Sequence, residues 1–137
     1  MLDECIGNKR LREALKDESE FDSCTSFDLG FLEGEPDENL VDGTTIHQRM
    51  LLTLDKRTIT EKKYPPCYHG GILQFQRCES KPEYVIPRLQ AIVKLGLEDI
   101  ITGHFTHIYY DKIKVVTHTE TIEKKFKDYE ELRYIVE

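Results

Sequence analysis

Apolar residues first recur with helical spacing close to the start of the chain. Leu11, Ala14 and Leu15 lie three and four positions apart, which is typical of one face of a helix. Residues 8–18 are therefore predicted to form a short helix, with Asn8 as an acceptable N-cap. Glycine and proline interrupt the segment that follows, so no long helix is expected there.

A second helix is predicted in the middle of the chain. Ser80-Lys81-Pro82-Glu83 fits the capping-box pattern, with Ser80 as N-cap and Glu83 at the third helical position. The apolar residues that follow share one side of a helix: Ile86, Leu89, Val93 and Leu97. Pro87 conflicts with this pattern, because a proline inside a helix removes a hydrogen bond, so the helix is either kinked or begins at Pro87.

β-branched and alternating patterns predict strands after Gly43. Two hairpins are expected, one around Asp55-Lys56 and one around Asp111-Lys112. A single strand lies between them and is entered through Gly70-Gly71. The predicted strands are residues 46–54, 57–63, 72–77, 105–110 and 113–121.

The C-terminal region is predicted to close the fold with a helix. Its stripe of apolar residues consists of Ile122, Phe126, Tyr129 and Leu132. Together these elements indicate an α+β protein, with a mostly antiparallel sheet of about five strands and two to three helices packed on one face. Residues 1–43 are predicted to carry the N-terminal helix and an acidic segment, and residues 44–137 the α+β core of one folding unit.

The distribution of charge along the chain is more informative about binding partners than the overall composition is. At 137 residues with 39% hydrophobic content, the chain is long enough for one globular domain. No lysine or arginine occurs from Asp17 to Gln48, and residues 1–48 hold 13 acidic and 4 basic side chains. Residues 49–137 hold 13 acidic and 15 basic ones, so the net charge of −7 belongs to the N-terminal third. Charge concentrated in this way bears on binding partners rather than on the fold.

The acidic segment is the strongest functional candidate in the sequence. Phe27, Leu29 and Phe31 alternate, so in an extended conformation their side chains share one side. These anchors would enter the groove of a protein partner while the carboxylates meet a basic rim. The predicted partner-binding residues are Phe27, Asp28, Leu29, Phe31, Leu32, Glu33 and Glu35. Two other interpretations stay open: the carboxylates imitate nucleic-acid phosphates, or the apolar residues pack on the protein's own sheet.

Two histidines of the last predicted hairpin are candidates for catalysis. A two-residue turn at Asp111-Lys112 would pair His107 with Val116. His107 and His118 would then be diagonal neighbours on one sheet face, about 7–8 Å apart. Such a pair suits a small metal-dependent hydrolase or a phosphoesterase. The plainer interpretation is that both are ordinary polar residues on a half-exposed sheet face.

A zinc site is the third candidate. Cys67, His69 and Cys78 lie within twelve residues of one another, and His104 would complete a tetrahedral set of ligands. A zinc-stabilised binding module would follow from such a site, although Cys67 and His69 are closer in sequence than paired zinc ligands usually are. The alternative is a buried Cys78 that packs as a small apolar residue beside an exposed turn histidine.

The remaining features argue against secretion and membrane insertion. The N-terminus lacks the basic and apolar regions of a secretory signal, and no apolar run reaches the roughly 18–20 residues of a membrane span. The four cysteines form no CxxC pair, so we expect reduced thiols in the cytoplasm or nucleus. We therefore expect a non-enzymatic adaptor or inhibitor that binds a protein with a basic surface and needs no cofactor. Neither nucleic acid nor a membrane is the expected partner.

Overall fold

Five short strands form a single sheet in the computed structural model of the chain, which describes residues 9–17, 24–76 and 81–126. The strands are β1 (Leu51–Thr53), β2 (Ile72–Phe75), β3 (Phe105–Ile108), β4 (Lys112–Val116) and β5 (Thr121–Lys125). The helices of these residues are α1 (Lys9–Asp17), α2 (Asp37–Ile46), α3 (Pro82–Lys94) and α4 (Glu98–Ile101), with a 3-10 turn at Phe27–Leu29. The α+β class and the number of strands are confirmed, although the predicted strand 57–63 does not form and β5 was not predicted.

The direction of the strands differs from the prediction. The strands follow one another across the sheet in chain order, and β1, β2 and β3 run parallel. The pairs β3–β4 and β4–β5 are antiparallel. The prediction of a mostly antiparallel sheet is therefore wrong, and the sheet is mixed. Helices α3 and α4 form the crossover that a parallel pair of strands requires between β2 and β3.

The first predicted hairpin does not form, because its two arms belong to other structures. Ile46 ends helix α2, and residues 57–63 follow β1 as a loop. The Asp55 carboxylate accepts hydrogen bonds from the backbone N–H of Arg57 at 2.8 Å and of Thr58 at 3.1 Å. This turn leads the chain away from β1, so the ladder partner of β1 is β2.

The last hairpin does form, but its register differs from the predicted one by two residues. Tyr109 donates its backbone N–H to the Lys112 carbonyl at 2.8 Å, so the turn between these two residues consists of Tyr110 and Asp111. His107 consequently pairs with Lys114 instead of Val116. The turn has the predicted length of two residues but lies one position earlier in the chain, and this accounts for the shift.

The predicted C-terminal helix is wrong where the structure describes it. Residues Thr121–Lys125 form strand β5, which pairs with β4 along its whole length. Ile122 pairs with Val115, so its side chain packs on the sheet rather than in a helical stripe. Tyr129 and Leu132, the rest of that stripe, lie outside the described residues.

The two helices predicted from apolar spacing are confirmed as α1 and α3. Helix α3 begins at Pro82 with Lys81 at its N-cap, and Pro87 lies inside it. Ser80, the predicted N-cap, lies outside the described residues. No helix in the described part of the chain has the length and apolar composition of a membrane span.

One face of the sheet, called here the back face, forms the larger core with α1, α3 and α4. Its strands contribute Leu52, Leu73, Phe75, Ile108, Ile113 and Val115. Helix α1 packs into this core through Leu11 and Leu15, which are almost completely buried. The four-residue spacing of these leucines explains why a helix so rich in charge folds here.

The opposite face, called here the front face, is covered by helix α2 only near the start of the parallel strands. There Leu51, Ile72 and Phe105 pack against Leu40 and Val41 of α2. Helices therefore cover both faces of the sheet, and the prediction that they pack on one face is wrong. Helix α2 also runs through the domain boundary predicted between residues 43 and 44.

Candidate functional site

A row of polar side chains crosses the front face near the carboxyl ends of the parallel strands. Residues paired from strand to strand make up this polar row: Thr53, Gln74, His107, Lys114 and Glu123. Thr53 and Gln74 are buried, and burying polar side chains costs free energy unless they are hydrogen-bonded. In open sheets of parallel strands, ligands bind outside the carboxyl ends of the strands, so this row is the first place to look for a site.

An open cleft of about 410 Å³, called here the polar cleft, lies over the polar row. Its lining residues come from the loop after β1 and from β2 and β3: Lys56, Thr60, Glu61, Lys62, Gln74, Gln76 and His107. The loop is anchored by Ile59, whose side chain is completely buried in the cluster under α2. The cleft therefore has polar walls and a loop that is packed against the sheet.

Gln74 holds the loop to the sheet through hydrogen bonds. Its amide nitrogen donates to the backbone carbonyls of Asp55 and Ile59, each at 2.6 Å. These two bonds use both hydrogens of the amide, so the side-chain oxygen of Gln74 acts as an acceptor. Gln76 Nε2 donates to that oxygen at 3.0 Å.

The bonds of Gln76 determine which nitrogen of His107 carries a proton. Gln76 Nε2 has two hydrogens, and its nearest acceptors are Gln74 Oε1 at 3.0 Å and His107 Nδ1 at 2.9 Å. His107 Nδ1 is therefore an acceptor, and a neutral His107 carries its proton on Nε2.

Glu61 completes this chain of hydrogen bonds. His107 Nε2 lies 2.5 Å from Glu61 Oε1 and donates its hydrogen to the carboxylate. The His107 side chain is 14% exposed and that of Glu61 is 44% exposed, so the carboxylate reaches solvent while the imidazole behind it is enclosed. An oriented carboxylate at the surface of a cleft has the geometry of a general base.

Two lysines and one glutamate are the charged residues that line the polar cleft. Lys56 donates a hydrogen bond to the Gln76 carbonyl, and Lys62 lies on the rim. Partial burial raises the pKa of Asp55, but hydrogen bonds from Thr58 and Arg57 outweigh it, and the pKa lies below its usual value. Asp55 is therefore ionised at neutral pH and serves the turn. The two lysines favour an anionic ligand in the cleft.

The two predicted catalytic histidines are not brought together. His118 follows β4 in the exposed turn before β5, and Val116 pairs with Phe105. His107 and His118 are consequently offset by four positions along the strands, or about 13 Å. The side chains that contact the His107 ring nitrogens, Glu61 and Gln76, were missed in the sequence. The available signal was the alternation of Gln74 and Gln76 within an otherwise apolar strand.

The predicted zinc ligands have different surroundings. His69 is buried, with Nε2 3.2 Å from the Tyr64 carbonyl and Nδ1 accepting the Gly71 N–H at 3.1 Å. His104 Nδ1 lies 2.6 Å from the Ile100 carbonyl, and Cys67 is exposed. Cys78 lies outside the described residues, and the described part of the chain holds no group of three side chains arranged to bind a metal. The contacts of His69 are structural ones to the main chain.

The acidic segment is divided between the core and the surface. Leu29 and Phe31 pack against the apolar cluster under α2, whereas Leu32 is 73% exposed. Asp28 stabilises a local turn, since its carboxylate accepts the Thr25 N–H at 2.9 Å. Residues 25–35 are therefore folded into local turns, as the 3-10 turn also indicates, and do not form an extended strand.

The two glutamates of the predicted partner-binding set lie just after Leu32. Glu33 is exposed. Glu35 accepts the Leu32 N–H at 3.2 Å and a hydrogen from Asn39 Nδ2 at 2.7 Å. The side chain of Phe27 is outside what the structure describes.

Comparison with other proteins identifies no relative. No protein-family model matches the chain, and neither a curated protein nor a solved structure matches it. The function has to be inferred from the residues of the chain itself.

Proposed function

We propose that this protein is a hydrolase of phosphate esters, with the polar cleft as its active site and Glu61 as its general base. The observation that supports this proposal is the 2.5 Å hydrogen bond between His107 Nε2 and Glu61 Oε1, at the end of a chain that starts at buried Gln74. A glutamate needed only for solubility would not require three side chains to orient it.

The proposed reaction uses four side chains of the cleft: Glu61, His107, Lys56 and Lys62. Glu61 takes a proton from a water molecule, whose oxygen attacks the phosphorus atom. The bond between phosphorus and the leaving oxygen breaks on the opposite side, that oxygen takes a proton from solvent water, and Glu61 returns its own proton to solvent, so an alcohol and a phosphate are formed. His107 keeps the carboxylate oriented by donating from Nε2. Lys56 and Lys62 neutralise the charge of the phosphoryl oxygens.

The test is hydrolysis of 4-nitrophenyl phosphate and bis(4-nitrophenyl) phosphate by Glu61→Gln. Loss of a general base is expected to lower kcat by about 10²- to 10⁴-fold. Glu120→Gln is the matched control, because Glu120 is an exposed carboxylate in the turn between β4 and β5. Equal rates for the wild type and Glu61→Gln would contradict the proposal, as would a wild type without activity on either ester.

A second candidate function, binding of a basic protein partner, is favoured by the apolar residues left on the surface. Leu32, Ile46 and Tyr68 are 73%, 74% and 81% exposed. Leu32 and Ile46 lie close to each other at the end of α2, because the rings of the adjacent residues Phe31 and His47 are 6.0 Å apart.

Tyr68 belongs to the same region of the surface. Gly70, two residues further on, donates its N–H to Thr44 Oγ1 of α2 at 2.7 Å. Five carboxylates lie between Leu32 and Ile46 along the chain and would meet a basic rim of the partner: Glu33, Glu35, Asp37, Glu38 and Asp42.

Binding to a basic partner would depend on both the apolar residues and the charge. In a pull-down from host lysate, the double variant Leu32→Ser/Ile46→Ser should lose a partner that the wild type retains, and high salt should release that partner. Tyr110→Ser, which removes an exposed side chain at the opposite end of the strands, is the control. Unchanged partners in the double variant would remove this candidate.

A further inference from the structure

A second cleft adjoins the polar cleft and has different walls. It has a volume of about 590 Å³ and is lined by Gln76, Tyr109, Tyr110 and Asp111. Gln76 lines both clefts, so they meet at this side chain. The second cleft, called here the tyrosine cleft, lies over the turn between β3 and β4.

The turn that forms the tyrosine cleft is held from behind by a buried arginine. Arg88 of α3 is only 1% exposed, and its guanidinium donates to the Tyr110 carbonyl from Nε at 3.2 Å and from Nη2 at 2.9 Å. The same group lies 4.9 Å from the centre of the Tyr110 ring. Phe126 donates its N–H to the Asp111 carbonyl at 2.8 Å. The tyrosine cleft is therefore preformed, which lowers the entropic cost of binding a ligand.

Aromatic rings continue along the front face from one cleft to the next. The rings of His107 and Tyr109 lie 6.4 Å apart with an angle of 32° between their planes. The ammonium groups of Lys112 and Lys114 lie 5.7 and 5.8 Å from the centre of the Tyr109 ring. Tyrosine rings of this kind offer flat apolar surfaces on which another planar group can stack.

Besides the tyrosine hydroxyls, which can donate or accept, the tyrosine cleft holds two side chains that offer acceptors. Asp111 supplies a carboxylate. The amide nitrogen of Gln76 is used by Gln74 and His107, so what Gln76 offers a ligand is its oxygen. A ligand that satisfies these groups carries N–H or O–H donors on a planar ring.

The spacing of the two clefts suits a single ligand. His107 and Tyr109 are two residues apart on one strand face, which corresponds to about 6.6 Å along the strand. That is about the distance from the phosphorus atom to the far side of a ring joined to it through one oxygen. A phosphoryl group at the level of His107 in the polar cleft would thus leave its ring over Tyr109.

We propose that the tyrosine cleft is the leaving-group subsite and that it takes a planar aromatic group bearing hydrogen-bond donors. This inference rests on the proposed hydrolase function. Tyr109 stacks on the leaving group, Asp111 accepts a hydrogen from it, and Arg88 is a positioning residue for the turn. An alkyl leaving group makes neither contact.

The first experiment compares the hydrolysis of 4-aminophenyl phosphate, phenyl phosphate and methyl phosphate. The wild type is expected to have the lowest KM for 4-aminophenyl phosphate. Tyr109→Leu should raise KM for both aryl esters about five- to tenfold and leave methyl phosphate unchanged. Asp111→Asn, which keeps the size of the side chain, should raise KM for 4-aminophenyl phosphate alone. Tyr68→Leu is the control, because Tyr68 is 81% exposed on a different loop.

The second experiment detects the ring without any catalysis. Saturation-transfer NMR with 4-aminophenol is expected to show binding to the wild type and to Tyr68→Leu with equal affinity, and about five- to tenfold weaker binding to Tyr109→Leu. Ring binding without hydrolysis would support the subsite and reject the hydrolase. Hydrolysis without preference for aryl esters, or a Tyr109→Leu variant that affects all three esters equally, would reject the subsite and keep the hydrolase. Absence of both ring binding and hydrolysis would reject both.

Discussion

The imidazole of His107 lies 2.5 Å from the carboxylate of Glu61, although 46 positions separate the two residues in the chain. His107 belongs to β3, and Glu61 to the loop after β1. The pair exists because Ile59 anchors that loop in the core and Gln74 holds two of its carbonyls. The geometry of the candidate site therefore depends on the packing of an irregular segment.

The hydrogen bonds of His107 with Gln76 and Glu61 predict the tautomer of its imidazole. In the wild type, a neutral His107 should carry its proton on Nε2, because Gln76 donates to Nδ1. In Gln76→Glu the new carboxylate can only accept at neutral pH, so a proton is expected on Nδ1. The ¹⁵N chemical shifts of the imidazole report which nitrogen is protonated.

Two further variants make this measurement specific. Gln76→Met removes the bond to Nδ1 without supplying a new acceptor, so the Glu61 carboxylate should still keep the proton on Nε2. Gln48→Glu makes the same chemical change at an exposed position and should leave the His107 signals as in the wild type. A wild-type His107 protonated on Nδ1 alone would contradict the assigned chain of hydrogen bonds.

The stability of the protein is expected to depend on Ile59, which anchors the loop that carries Glu61. Ile59→Ala removes a side chain that is completely buried, and the cost in free energy of unfolding should be about 2–5 kcal/mol. Ile46→Ala is a matched control at a side chain that is 74% exposed, and its effect should be within about 0.5 kcal/mol. Urea denaturation measures both. Equal losses in the two variants would show that Ile59 does not anchor the loop.

The elements that the sequence predicted well are those determined by local spacing. The spacing of Leu11 and Leu15 correctly predicted α1. The apolar residues of α3 correctly predicted that helix, although Pro87 lies within it. The turn at Asp55 was read as a hairpin because strand-like runs flank it. A β-branched run shows that a segment is extended, but its neighbour in the sheet is decided by long-range packing, which here pairs β1 with β2.

The candidate site was harder to predict for a related reason. His107 was singled out, but its expected neighbour His118 followed from a turn placed one residue too late, which shifts the predicted register by two. When the register of two strands shifts by two residues, each side chain stays on the same face of the sheet, but each residue is paired with a different residue of the other strand. Glu61 lies in a loop, and a loop has no periodic pattern of apolar residues that would show where its side chains lie. Its contact with His107 could therefore not be predicted from the residues around it.

His69 predicts how stability depends on pH. Burial lowers the pKa of His69 below its ordinary value of 6.5, the Tyr64 carbonyl opposes this, and His104 lowers the pKa further. Above the ordinary value the residue is neutral in both states, and its contribution to stability is complete. As the pH falls below that value, the unfolded chain binds the proton first, so the folded state loses stability until the pH passes the lowered pKa.

The urea midpoint at pH 7.5 and at pH 5 checks this dependence. In His69→Gln, the amide can donate to Tyr64 and accept from Gly71 without titrating. The variant is expected to be less stable than the wild type at pH 7.5 and to lose less stability on acidification. Identical losses on acidification in the two proteins would show that His69 does not control this part of the pH dependence.

Adjacent residues of the acidic segment are expected to respond differently to the same change. Phe31 packs against the cluster under α2 and its ring contacts that of His47, so Phe31→Ser should lower the free energy of unfolding by about 1–3 kcal/mol. Leu32 is 73% exposed, and Leu32→Ser should change it by no more than about 0.5 kcal/mol. Thermal and urea unfolding of both variants measure these changes in the free energy of unfolding. A stable Phe31→Ser protein would mean that Phe31 is available to a partner, whereas the expected loss restricts the binding surface to Leu32 and its exposed neighbours.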